Sequence, residues 1–92
     1  MKDEKLVTVR TYSAGVHVGT FVSRKGKEVL LKNARRIWSW SGALSLNEVS
    51  MRGIGGGKVS VPVKSILLTE AIEIIDLEPA AMKKISSFEV RE

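Results

Sequence analysis

"ARRIWSWSGALSLNE", residues 34–48, is the stretch on which the fold turns. Its first half, Arg35 to Trp40, is rich in strand-forming residues and sets large side chains against small ones. Its second half carries Ser45 and Glu48 as Ser-x-x-Glu, the spacing by which a helix start satisfies two otherwise unpaired amides. A strand therefore gives way to a helix inside fifteen residues.

Upstream the pattern is all strand. "LVTVRTYS" alternates Val7, Val9 and Thr11 with Thr8, Arg10 and Tyr12, the period of a half-buried strand. "SAG" at 13–15 punctuates it, and "VHVGTFVS" resumes with Val16, Val18, Thr20 and Val22 on one face and His17, Gly19 and Phe21 on the other. "RKGK" is a hairpin turn with Gly26 at its tip. "EVLLKNA" is the return strand, and a turn is expected at Asn33 before "RRIWSW". The first forty residues thus read as a meander of three or four antiparallel strands.

Downstream, Leu46, Val49 and Ile54 supply an apolar stripe and Gly53 a helix end. "GIGGGK" reads as a flexible loop, and "KVSVPV" returns to alternation, with Pro62 favouring an edge or a bulge. "SILLTEAIEIIDL" fits either a helix face or a strand; its isoleucine density favours strand, broken near Thr69–Glu70. "EPAAMKKIS" opens a terminal helix with Pro79 at its first position, and the tail "SSFEVRE" is expected to fray. The expected fold is α+β in one domain, 1–92. It is a small, mostly antiparallel sheet or partial barrel with one short capped helix (about 45–53) and a C-terminal helix (about 79–87).

Composition narrows the function classes. The chain has 92 residues and no cysteine, which removes disulfides, thiolate metal sites and cysteine nucleophiles and suits a reducing cytosol. So thin a core makes homo-oligomerisation a reasonable way to bury more apolar surface. No run approaches the roughly 20 apolar residues of a membrane span, and "MKDEKLVTV" lacks the apolar core of a signal peptide. No membrane partner is expected. Net charge is +5, concentrated between Arg24 and Arg36: Arg24, Lys25, Lys27, Lys32, Arg35 and Arg36 stand against Glu28 alone. Such a patch attracts phosphates, although a charge run is more often a solvated hairpin end.

Catalytic constellations fail one by one. "GIGGGK" is no phosphate-binding P-loop: the first glycine of that motif would fall on Arg52, Val59 replaces the Ser/Thr, and a strand follows. His17 is the only histidine, too few ligands for a metal, and Ser13 and Tyr12 nearby complete no triad. A strand histidine satisfied by a polar neighbour is the favoured reading, though it would also serve as a hydrogen-bonding ligand. Glu70, Glu73, Asp76 and Glu78 follow a solvent face and a helix start rather than a common cleft. No enzyme and no cofactor are expected. If residues 35–40 form a regular strand, Arg36, Trp38 and Trp40 share a face. Two indoles there are either most of the core or a stacking platform beside an arginine, and one of each is compatible with both. "SGALS" adds hydroxyls and amides at a helix start, a setting suited to anions.

"RTYSAGVHVGT", "ARRIWSWSGA" with "SL" one residue on, "SVPV" and "LTEAIEII", spread over residues 7–76, resemble a family of short proteins found in bacteriophage and prophage genomes. The resemblance implies phage origin and the host bacterial cytoplasm rather than an activity. Relatives often carry a longer loop before "SVPV", so "GIGGGK" is a weak place to seek an essential site. The leading expectation is a homo-oligomeric counter-defence protein that sequesters a small nucleotide-type ligand. Arg35 or Arg36 would meet phosphate, Trp38 or Trp40 would stack, and Ser41, Ser45, His17 and Tyr12 would complete the site. Nucleic-acid binding through the Arg24–Arg36 patch and inhibition of a host protein are the alternatives, the first weakened by the acidic second half.

Overall fold

A computed structural model describes residues 5–12, 15–42 and 45–90. Ser13 and part of the "SAG" and "SGALS" segments lie outside them. Six strands and two helices follow in the order β1 (Leu6–Thr11), β2 (Val16–Lys25), β3 (Glu28–Ser41), α1 (Leu46–Arg52), β4 (Gly56–Val59), β5 (Val63–Leu68), β6 (Ala71–Asp76) and α2 (Pro79–Ser86). The pairing is antiparallel throughout the sheet, in the order β4-β3-β2-β1-β6, with β5 also on β3.

β3 is long enough to hold two partners. Val29–Ala34 pairs with β5, and Ile37–Ser41 pairs with β4. The expected turn at Asn33 is instead a bulge inside one continuous strand: Asn33 takes φ 51°, and the β2–β3 register shifts between Val18 and Thr20. Asparagine tolerates this left-handed conformation better than most side chains. Opposite the bulge, a Cβ on Gly19 would come within 3.0 Å of the Ala34 Cα, so glycine there lets the bent strands approach. A further shift between Phe21 and Ser23 adds to the bend.

The bending curls the sheet into a half-barrel with two cores. Inside the curl, Val7, Val9, Val29, Leu31, Ala34 and Leu68 meet Ile66 of β5 and Ile74 of β6, residues from opposite ends of the sheet. On the other face, Val16, Val18, Ile37 and Val59 pack under the helices against Val49, Ile54, Leu77, Ala81 and Ile85. β1 and β2 are therefore not half-buried as their alternation suggests. Val7–Val9 and Val16–Thr20 are buried on both faces, because helices cover one and the curl encloses the other. Buried Thr8 remains satisfied by accepting from Ser50 Oγ of α1 at 2.9 Å.

The helix signals hold. The Ser45 hydroxyl accepts from the Glu48 amide at 3.2 Å, and Pro79 opens α2. The break at Thr69–Glu70 separates β5 from β6. Two further expectations need correction. The glycine run is a loop only through Gly55: Gly56–Val59 is β4, and Gly57 lies against Trp40 where a Cβ would be 2.1 Å from the Ser39 carbonyl oxygen. The tail does not fray through Val90, whose amide donates to the Val59 carbonyl at 2.7 Å while Glu89 pairs with Arg35. No helix among the described residues is long and apolar enough to cross a membrane.

Candidate functional site

His17 and Arg36 stand directly opposite each other on β2 and β3. His17 is 1% exposed, and its Nε2 accepts a hydrogen bond from Arg36 Nε at 3.2 Å. Burial, and then the adjacent Arg36 charge, lower its pKa from 6.5 to about 4. The imidazole is therefore neutral at pH 7. With Nε2 accepting, its proton sits on Nδ1, which is buried and has no partner among the described residues.

Arg36 is exposed, and the histidine holds only its Nε. Its backbone is fixed from both sides by the β4–β5 link: Arg36 N donates to Ser60 Oγ at 2.8 Å, and Ser60 N donates to Arg36 O at 2.9 Å. The two terminal guanidinium nitrogens meet no acceptor among the described residues. They border a mostly apolar cavity of about 270 Å³ lined by His17, Ala34, Arg36, Trp38, Ser60, Val61, Val63 and Ile66. Ligand cavities commonly span about 300–1,000 Å³, so this one suits a single flat ring and an attached group.

The two tryptophans do not share a face. The β3–β4 register shifts between Ile37 and Ser39, so the strand carries one extra residue at Trp38. Side-chain alternation reverses across such an insertion. Trp38 stays with Arg36, 50% exposed and lining the cavity, while Trp40 joins Ile37 against the core under the helices.

The other expected site residues disperse. Arg35 points away from Arg36, donating to the Ser60 carbonyl at 3.2 Å and pairing with Glu89. Ser41 lies at the end of β3, and its carbonyl accepts from the Gly55 amide. Ser45 is committed as the α1 cap. Tyr12 is 79% exposed just past β1, its amide bonded to the Glu70 carbonyl at 3.0 Å. The structure thus brings together His17, Arg36 and Trp38. Sequence reasoning missed Ser60, Val61, Val63 and Ile66; "SVPV" was legible only as an edge or bulge, which is how a chain crossing from β4 to β5 reads locally. Among the described residues, no three His, Asp or Glu side chains cluster as metal ligands would.

Fold and site together define a small α+β half-barrel with an unpaired cation set beside an apolar cleft. The chain belongs to a family described as a domain of unknown function (DUF6948), whose model matches residues 4–85. No curated protein and no solved structure matches the chain.

Proposed function

We propose that this is a binding protein that captures a small nucleotide-type ligand in the cleft at Arg36 without transforming it. The Arg36 guanidinium carries the reading: neutral His17 orients its Nε, its terminal nitrogens meet no acceptor among the described residues, and Trp38 lines the same cavity. A cation beside an aromatic face suits a phosphate attached to a flat ring. The resemblance to phage proteins supports the setting, a phage-encoded protein acting in the host cytoplasm to sequester a nucleotide signal of antiviral defence. Homo-oligomerisation fits the strand edges that β5 and β6 leave unpaired, with Leu67 and Ile72 exposed on them.

Nucleic-acid binding remains the second reading, because Arg24, Lys25 and Lys27 are exposed about the β2–β3 turn. Arg35, however, is spent on Glu89 and is lost to that patch. A thermal-shift screen with cyclic and ADP-ribose-type nucleotides tests the proposal. Stabilisation is expected, and Arg36→Gln should abolish it. A folded sample that none of them stabilises refutes it, and binding only to long DNA or RNA with steep salt dependence transfers the function to the hairpin.

A further inference from the structure

Arg36 stands in a wall between two cavities. The second, of about 170 Å³, is lined by Thr11, Arg36, Ile66, Leu67, Leu68, Thr69 and Glu70; Arg36 and Ile66 line both. Their chemistry differs. The first offers the indole of Trp38 and the side chains of Ala34, Val61, Val63 and Ile66. The second is lined by Thr69, whose hydroxyl has no partner among the described residues, and by Glu70, which has an interaction of its own.

Charge counting restricts what can lie across that wall. Among the described residues Arg36 is the only cation lining either cavity, and His17 beside it is neutral at pH 7. The site therefore supplies one positive charge, with a carboxylate lining the far side. A terminal phosphate carries close to two negative charges at pH 7 and would be left partly uncompensated. A phosphodiester carries one, and its two non-bridging oxygens match the two terminal guanidinium nitrogens left unpartnered. A carboxylate and a hydroxyl in the second cavity suit sugar hydroxyls, which donate and accept.

We infer that the ligand is a phosphodiester-bridged, two-part nucleotide: a base against Trp38, the bridging phosphate on Arg36, and the next sugar in the cavity at Thr69 and Glu70. This rests on the proposed role of Arg36 as the anion-binding group. Unscreened charge alone would rank these ligands the other way, since the mononucleotide bears more of it.

Calorimetric titration of the full chain with AMP, GMP, CMP and UMP, and with the dinucleoside monophosphates ApA, GpG, CpC and UpU, decides the matter. At least one dinucleoside monophosphate should bind about tenfold or more tightly than its matching mononucleotide, the weight of one or two added hydrogen bonds. Thr69→Val or Glu70→Gln should remove most of that advantage; Thr69→Val should leave mononucleotide affinity unchanged and Glu70→Gln, which removes a negative charge, should not weaken it, whereas Arg36→Gln should weaken both. Mononucleotide binding that depends on Arg36 and equals dinucleoside binding overturns this inference alone. A preference that survives both Thr69→Val and Glu70→Gln also overturns it, by placing the second half of the ligand elsewhere. Binding of neither class overturns this inference alone if cyclic or ADP-ribose-type nucleotides stabilise the protein, and overturns the reading on which it rests as well if they do not.

Discussion

Acidification should destabilise this protein through His17 before its surface carboxylates dominate. The folded state holds the imidazole pKa at about 4, against 6.5 when unfolded. As pH falls from 6.5 the unfolded chain takes up a proton that the folded chain refuses, so the equilibrium moves toward unfolding. The stabilising contribution is complete above pH 6.5 and is lost as pH falls through the interval down to about 4. A shift of about 2.5 units at about 1.36 kcal/mol each makes the full effect roughly 3 kcal/mol. Domains of this size are commonly stable by about 5–15 kcal/mol in all, so one side chain governs a large share.

Urea unfolding followed by circular dichroism, from about pH 7.5 to pH 4, measures it against His17→Gln. Glutamine does not titrate and offers an oxygen to Arg36 Nε, so the variant moves the baseline without contributing its own slope. The difference in unfolding free energy, wild type minus variant, should fall by roughly 3 kcal/mol across the interval. The carboxylates are common to both proteins, so their contributions cancel in the difference. A difference that stays flat with pH refutes the assignment of His17 as a buried, neutral partner of Arg36.

Two substitution pairs probe the strands that shape the site. Trp38→Ala should leave stability within about 0.5 kcal/mol, as a half-exposed wall residue, whereas Trp40→Ala should cost roughly 2 kcal/mol in denaturant unfolding. Equal costs would mean that the bulge does not separate the indoles. Gly57→Ala should cost at least about 2 kcal/mol, because its Cβ would meet the Ser39 carbonyl oxygen at 2.1 Å. Gly26→Ala, left-handed but with nothing within 4 Å, should cost about half as much, and the reverse order of melting temperatures would count against the β3–β4 pairing.

Much of the fold was legible because its signals are local. The Ser45–Glu48 cap, Pro79, the hairpin at Gly26 and the break at Thr69–Glu70 each depend on a few adjacent residues. What stayed hidden depends on partners distant in the chain. Nothing in "RRIWSW" announces an inserted residue, since the insertion exists only relative to β4, about twenty residues on. That insertion sends Trp38 and Trp40 to opposite faces, so strict alternation brought Arg36 and Trp38 together but wrongly added Trp40. "GIGGGK" hid in the same way: a glycine run has no strand propensity of its own and becomes β4 only because β3 needs a partner without side chains at Gly57. Arg35 looked as available as Arg36 until the tail returned Glu89 to it.

The histidine is the strongest reason to assign the cleft a purpose. An apolar residue in its place would pack beside Val9, its neighbour across β1–β2, with no proton to exclude and no orphaned donor. Instead the interior carries an imidazole whose charged form is disfavoured and whose Nδ1–H lacks an acceptor among the described residues, a deficit of about 1–3 kcal/mol. Among the described residues its one side-chain bond is to Arg36, and that bond fixes Nε while leaving the terminal nitrogens without a partner there. A salt bridge would have stabilised the arginine more simply, as Glu89 does for Arg35 one residue earlier. The neutral partner orients Arg36 without neutralising it, which keeps the full positive charge available at the wall between the two cavities.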